Sequence, residues 1–576
     1  MLRWLPAALG AALTVAGSVA AQEGVRPGDV RPEMPEFAPE EREAGRILPP
    51  LRIPEKPGTG ALSGGRTVHV SQYRIQGATV LGGDELAELT EPYLDRAVTW
   101  AELEDLRDRI TLAYVERGYV SSGAVIPDQE VVGGAVVIQV VEGTLGRIDV
   151  GTDGRYRTER IEKRLAREAE GPVNVPQLEQ ELQRLQRDPR IDAVEARLSP
   201  SERRGESELE LELHEAPPYQ FGLELSNYEV PSIGAYRSRI DASHLNVFGY
   251  GDTISTSFSL SEGLREIEAS YELPVNSYGT TLGVFTHQTW SDVVDAGHKL
   301  EDLDIESRTW TGGLSVRHPL LDGESHRLEL FGTAELRFSD SRLLGSGFSF
   351  SEGPEDGESK LTVFRFGQEW SYRKRRQVFV ARSLVSWGTG LFDATTHSRT
   401  GVPDGRFVSW LAQLQWAQRF EWLDALLIAR LDGQLSNDSL LGLEQLALGG
   451  PTSVRGYREN AMVRDEGVVG SIEVRFPVLR RGDGRPWLEI GPFVDAGYGS
   501  NRDRLLAPVP VDPTNPQRPD DPPDTLVGAG IAARINVSER TRVELTWAED
   551  LKDIPSFPTH DLQDSGFYLR FTTRLP

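Results

Sequence analysis

The 576-residue chain carries a formal net charge of −26 and contains no cysteine, and its mean hydropathy is −0.37. Such acidity speaks against the basic stripe of a nucleic-acid binder, and a chain without thiols makes no disulfide, thiolate metal site or cysteine nucleophile. The length accommodates three or four domains.

Read from its N-terminus, Met1-Leu2-Arg3 precedes an apolar run from Trp4 to Val19 and the small residues Ser18-Val19-Ala20-Ala21. A short positive region, an apolar core and a small-residue cleavage site predict a secretory signal peptide over residues 1–21. Residues 22–65 are rich in Pro, Glu, Gly and Arg, too polar to bury a core, and read as an extended linker with a possible short helix from Pro39 to Leu48. No later window holds the roughly eighteen apolar residues of a membrane helix. The exported chain is therefore soluble or a β-barrel, whose alternating strands keep average hydropathy low.

Residues 66–142 and 143–217 predict two small α+β units of order βααββ. In the first, Val68 to Ile75 opens as a strand and Gly83 to Tyr93 as a short helix. A longer helix, Trp100 to Arg117, places Leu103, Leu106, Ile110, Leu112 and Val115 at helical spacing. Strands Tyr119–Ile126 and Gly134–Val141 close the unit. The second repeats the order with strand Leu145–Val150, helices Tyr156–Ala169 and Pro176–Arg187, and strands Ile191–Leu198 and Glu206–His214. Tandem units of this size are modules on a string. Gly82-Gly83-Asp84-Glu85 mimics a nucleotide-cyclase loop, but in this place it reads as a helix start whose acids suit the helix dipole.

The run Tyr114-Val-Glu-Arg-Gly118-Tyr119, then Ile126-Pro127-Asp-Gln129, then Gly134 to Gly143, resembles the first polypeptide-transport-associated (POTRA) domain of two-partner secretion transporters. Leu198-Ser-Pro200 to Leu211 resembles the end of their second. In the second unit the strand carrying Glu206, Leu209, Leu211 and Leu213 is expected to be an exposed sheet edge, to which an extended peptide could add as another strand.

From Tyr219 onward, period-two alternation dominates. Leu328, Leu330, Ala334, Leu336 and Phe338 oppose Glu329, Thr333, Glu335 and Arg337, and near the end Val543, Leu545 and Trp547 oppose Arg542, Glu544 and Thr546. An apolar face opposite a charged one matches lipid outside and water inside. Residues 218–576 thus predict an all-β transmembrane barrel of sixteen antiparallel strands. They start near Tyr219, Ala235, Gly251, Leu264, Gly279, Glu306, Glu324, Glu358, Arg376, Gly405, Asp424, Gly467, Trp487, Thr525, Thr541 and Ser565. Short connections, including the Arg481-Gly482-Asp483 turn, alternate with long ones, as periplasmic turns and extracellular loops do.

A barrel of this size encloses an aqueous lumen. The stretch Leu448 to Asn460 falls in the sixth long loop. On the thirteenth strand, parity points Leu488, Ile490 and Val494 to lipid and Glu489, Phe493 and Asp495 to the lumen. A lumenal carboxylate shielded from bulk water favours a cationic partner, and the planar fork of Arg455 can hold one with two parallel hydrogen bonds.

Val454-Arg455-Gly456-Tyr457 in that loop, with Phe493-x-Asp495 on that strand, resembles the POTRA-barrel transporter superfamily. Two POTRA units ahead of sixteen strands narrow the resemblance to the two-partner secretion branch, over residues 66–576. It implies Arg455 bonded to Asp495, with the loop tip tucked into the pore. It further implies an outer-membrane barrel with periplasmic POTRA domains, and a secreted exoprotein as partner. Outer-membrane lipid and lipopolysaccharide would surround the barrel, and barrel-assembly machinery would act during biogenesis. Two departures stand out: the chain ends Arg574-Leu575-Pro576 where the family often ends on an aromatic, and only Pro39 to Leu48 could supply the plug helix that many members carry. No Gly-x-Ser-x-Gly, His-Glu-x-x-His or P-loop occurs, so neither catalysis, cofactor, metal nor nucleic acid is expected. An outer-membrane insertase of the same superfamily is the competing reading, and a passive porin a weaker one.

Overall fold

The computed structural model describes residues 47–48, 67–294, 304–323, 325–399, 401–502, 524–554 and 561–575. The signal peptide, nearly all of the linker and Pro576 lie outside them.

The first periplasmic unit runs β1 (Thr67–Val70), β2 (Gln72–Gln76), α1 (Gly83–Thr90), β3 (Arg96–Thr99), α2 (Trp100–Glu116), β4 (Gly123–Val125) and β5 (Ala135–Val141). β5 lies between β2, which it pairs in parallel, and β4, which it pairs antiparallel. The expected opening strand is broken at Ser71, and its first half pairs instead with β3, an element the sequence reading missed. α2 starts where it should because Thr99 and Glu102 form a reciprocal capping box. Its Leu103, Leu106, Ile110 and Tyr114 are buried against Val136, Ile138 and Val140, whereas Leu112 points to solvent. Glu142, at the end of β5, closes the unit: its carboxylate accepts from Tyr114 Oη at 2.6 Å and from the backbone N–H groups of Thr79 and Val80 at 2.6 and 2.9 Å.

The second unit runs β6 (Thr144–Thr152), α3 (Glu159–Glu168), α4 (Val175–Gln186), β7 (Ile191–Pro200) and β8 (Glu206–Glu215). Here the edge expectation for Glu206, Leu209, Leu211 and Leu213 is overturned. β8 is the central strand, parallel to β6 on one side and antiparallel to β7 on the other. Its ladder hydrogen bonds are made on both sides, and Leu209, Leu211 and Leu213 lie in the core under α3 and α4. The unpaired edges of this sheet belong to β6 and β7. Ile47 and Leu48 dock on the same unit: both N–H groups donate to the Glu179 carboxylate, and Leu48 joins the buried cluster.

Sixteen antiparallel strands then close a barrel, β24 pairing with β9. They are β9 (Tyr219–Ser226), β10 (Arg237–Leu245), β11 (Thr253–Leu260), β12 (Leu264–Pro274), β13 (Thr281–Asp292), β14 (Ile305–Asp322), β15 (His326–Leu343), β16 (Glu358–Lys374), β17 (Gln377–Thr389), β18 (Phe407–Phe420), β19 (Ala425–Ser436), β20 (Glu466–Arg480), β21 (Pro486–Ser500), β22 (Thr525–Asn536), β23 (Thr541–Asp550) and β24 (Phe567–Leu575). A two-residue strand, Ser346–Gly347, pairs with the end of β15 only. The alternation has the expected sense. Val494, Ile531, Leu545 and Trp547 stand on the exposed outer face, while Asp432, Glu473, Asp495 and Thr546 point inward and are buried.

The second periplasmic unit meets the short turns after β10 and β12. Arg157 lies 4.1 Å over the Tyr250 ring and Arg167 lies 4.4 Å over Tyr278. Arg160 donates to the carbonyls of Tyr250 and Pro274, and Arg190 to that of Gly251. These contacts identify the short turns as the periplasmic rim, so the loop between β19 and β20 enters from the opposite rim.

Candidate pore-loop site

That loop, residues 437–465, does not stand out from the barrel. Two short strands, Leu446–Leu448 and Met462–Arg464, pair as a hairpin, and its apolar residues are buried against the inner wall. Leu446, Leu448, Val454, Tyr457 and Met462 form a cluster with Val469 of β20 and Leu526 of β22.

Arg455 stands at the tip. Its Nε and Nη2 reach the two carboxylate oxygens of Asp495 at 2.7 and 2.9 Å, and its backbone N–H donates to the same carboxylate at 3.0 Å. Nη1 reaches Glu473 on β20 at 2.7 Å. Ser471 Oγ donates to Asp495 at 2.6 Å and lies 3.2 Å from Nη2. The guanidinium carbon lies 3.3 Å from the centre of the Phe493 ring, a cation–π contact. Asp495 has no exposed surface. Removing one partner of so buried a pair strands the other, at a cost of about 3–5 kcal/mol.

The flanking residues seat the tip. Gly456 has φ +102°, and a Cβ there would meet the Glu549 backbone at 2.9 Å, so no other residue fits without strain. The wall is matched to it: a Cβ on Gly528 would lie 1.8 Å from the Arg455 carbonyl oxygen. Tyr568 of β24 accepts from the Gly456 N–H at 2.9 Å and donates to the Tyr457 carbonyl at 2.7 Å. The Tyr457 hydroxyl accepts the Val527 N–H at 3.1 Å and donates to the Lys552 carbonyl at 2.8 Å. Val454 has no exposed surface. Gln563 links the tip onward. It accepts from Glu459 N–H and donates to the carbonyls of Asn227 and Glu229, beside the β9–β24 seam.

The structure thus brings together all six residues named for the pore loop: Val454, Arg455, Gly456, Tyr457, Phe493 and Asp495. Sequence reasoning missed Ser471, Glu473 and Tyr568. Parity on β20 and β24 points them inward, but no local signal says that a loop will meet them there. Among the described residues, Glu266, Glu268 and His287 are spaced closely enough to hold a metal ion. Glu266 is already bonded to Arg237 and His287, and Glu268 to Arg239, so cationic partners occupy these donors.

The loop lies folded inside the barrel, packed on β20 and β22. Residues 205–506 match the family model for haemolysin secretion/activation proteins ShlB/FhaC/HecB, and residues 68–143 match the ShlB-type POTRA domain. The outer membrane transporter CdiB of Escherichia coli O6:K15:H31 is 27% identical over 453 residues, covering 74% of this chain and 72% of that protein. The hemolysin transporter protein ShlB of Serratia marcescens is 23% identical over 410 residues, 68% of this chain and 69% of that one. Among solved structures, CdiB from Escherichia coli superimposes with a TM-score of 0.65 at 21% identity, covering 96% of this chain and 95% of its own. BamA from Haemophilus ducreyi lacking POTRA domains 1–3 shares the fold with a TM-score of 0.53 at 14% identity, over 88% and 100%. With more than half its length matched by the family model, and with the periplasmic domain and closed barrel both in place, the chain belongs to the haemolysin secretion/activation family of two-partner secretion transporters in the bacterial outer membrane.

Proposed function

We propose that the protein receives an unfolded exoprotein in the periplasm through its POTRA domains and passes it through the barrel to the cell surface without nucleotide energy. The observation that carries this reading is the occupied lumen. A loop rooted at the extracellular rim is held inside the pore by Arg455 on Asp495 and Glu473. A passive porin has no need of such a plug or of two periplasmic modules. The free strand edges of the POTRA units, Gln72–Gln76, Thr144–Thr152 and Ile191–Pro200, are where an extended chain could add by main-chain hydrogen bonding. The Arg455 loop then shifts, the chain threads the lumen, and folding outside draws it forward. The partner is a large exported protein of the kind such transporters serve, chosen by its extended backbone.

The test is secretion of the cognate exoprotein by cells carrying Arg455→Ala or Asp495→Ala. Barrel assembly is scored by heat-modifiable gel mobility and cargo by immunoblot of the medium. Both variants should assemble and both should secrete less. Undiminished secretion by both would remove the role given to this pair.

A further inference from the structure

The loop is tied down twice, and its second tie lies on a different wall. Before the hairpin, Leu440, Leu441 and Leu443 are buried with Leu361 and Val363 of β16 and Phe407 of β18. Beside them Glu444 turns inward and is almost fully buried. Its carboxylate accepts from Arg365 Nη2 at 2.8 Å and Nη1 at 3.0 Å, and from Arg337 of β15. Arg365 also bonds Glu335 at 3.1 Å, so two guanidiniums face two carboxylates. Within this cluster Glu444 is the only acid paired with Arg337. The Gln434 side chain holds the Glu444 carbonyl at 2.9 Å.

Counted the shorter way around the barrel of sixteen, Arg337 on β15 is six strands from Asp495 on β21 and seven from Tyr568 on β24. The loop base is therefore fixed to a different stretch of wall, well around the lumen from the strands that seat its tip. We infer that Glu444 is a positioning residue for the pore loop: by clamping the loop base to Arg337 and Arg365, it sets the path on which Arg455 reaches Asp495. The loop is a strut between two walls rather than a finger held at its tip. Loss of either end leaves the other end alone unable to keep the lumen filled. This inference rests on the plug reading above.

Planar-bilayer recording of the purified full-length transporter tests it, comparing Glu444→Gln, Arg337→Gln, Asp495→Ala and the Glu444→Gln/Asp495→Ala pair. Loss of one partner from a buried charge cluster should raise the frequency of open-channel events by about tenfold in each single variant. For a strut the double variant opens no more often than the stronger single. Multiplying effects would mean two independent ties and would overturn the positioning role. An unchanged Glu444→Gln beside an opened Asp495→Ala would sink this inference alone. If Asp495→Ala itself stays closed, the plug reading fails instead. Arg337→Gln, which keeps the Arg365 pair, serves if Glu444→Gln does not assemble. Failure of both to assemble would make the cluster part of the barrel's own fold and would also overturn it.

Discussion

At the scale of single residues, the tip is held by charges that balance only as a set. Arg455 and Arg475 face Glu473 and Asp495, and Arg475 bonds the Glu473 oxygen that Arg455 leaves free. Asp495→Asn keeps the shape but removes one charge. It should weaken the closed arrangement less than Asp495→Ala, and protease accessibility of the loop in intact cells gives the ranking. Tyr568→Phe is the more informative change, because it deletes one hydroxyl and no charge. The Gly456 N–H loses its acceptor, a cost of about 1–3 kcal/mol. Hydrogen exchange at Gly456 should quicken while exchange in the β23–β24 ladder stays slow. Equal loss of protection in both would show that Tyr568 serves the barrel and not the loop. The sequence made Arg455, Phe493 and Asp495 visible because the turn chemistry of one and the strand parity of the others are local properties. Tyr568 and Glu444 were silent for the opposite reason: both look like routine strand and loop residues until distant strands are brought around the ring.

At the scale of elements, period-two alternation was a dependable guide. The starts of β9, β12, β16, β22 and β23 at Tyr219, Leu264, Glu358, Thr525 and Thr541 fall on the predicted residues. An apolar outer face opposite a polar inner one is written within each strand. Pairing order is not. β8 alternates Leu209, Leu211 and Leu213 with Glu208, Glu210 and Glu212, a pattern that suits an edge as well as a centre, and only β6 arriving in parallel decides it. Strand β3 was missed because four residues between two helices carry too little pattern. In the first POTRA unit, the capping box predicts that Thr99→Ala weakens α2 by about 1 kcal/mol, read as faster hydrogen exchange in its first turn with α3 unchanged. Glu142 makes that unit acid-sensitive. Burial raises its pKa, but hydrogen bonds from Thr79, Tyr114 and Val80 outweigh that and hold it below the usual carboxylate range. A depressed pKa contributes stability above the unfolded value of about 4.3, and the contribution is lost as pH falls through the folded value. Acid titration followed by tyrosine signals should show the unit loosening there, and Glu142→Gln should remove most of that pH dependence.

At the scale of the whole molecule, four arginines of the second periplasmic unit grip the periplasmic turns, three of them through carbonyls that no side-chain change can remove. This fixes the unit beneath β10 to β13. Arg160→Ala with Arg190→Ala should free it to swing, broadening inter-probe distances between the unit and the barrel in spin-label measurements, while the barrel remains heat-modifiable. The barrel itself is uneven in height. β14 and β15 each have eighteen residues, whereas β9 and β11 have eight and β10 and β24 have nine. Eight tilted residues cover roughly 20 Å, less than the ~25 Å apolar band usual for outer-membrane barrels. Lipid beside the closing seam must therefore be pinched thinner than lipid on the far side, so the protein carries a built-in gradient of hydrophobic mismatch. Reconstitution into bilayers of decreasing acyl-chain length should relieve the strain on the seam first, slowing its hydrogen exchange before that of the tall wall.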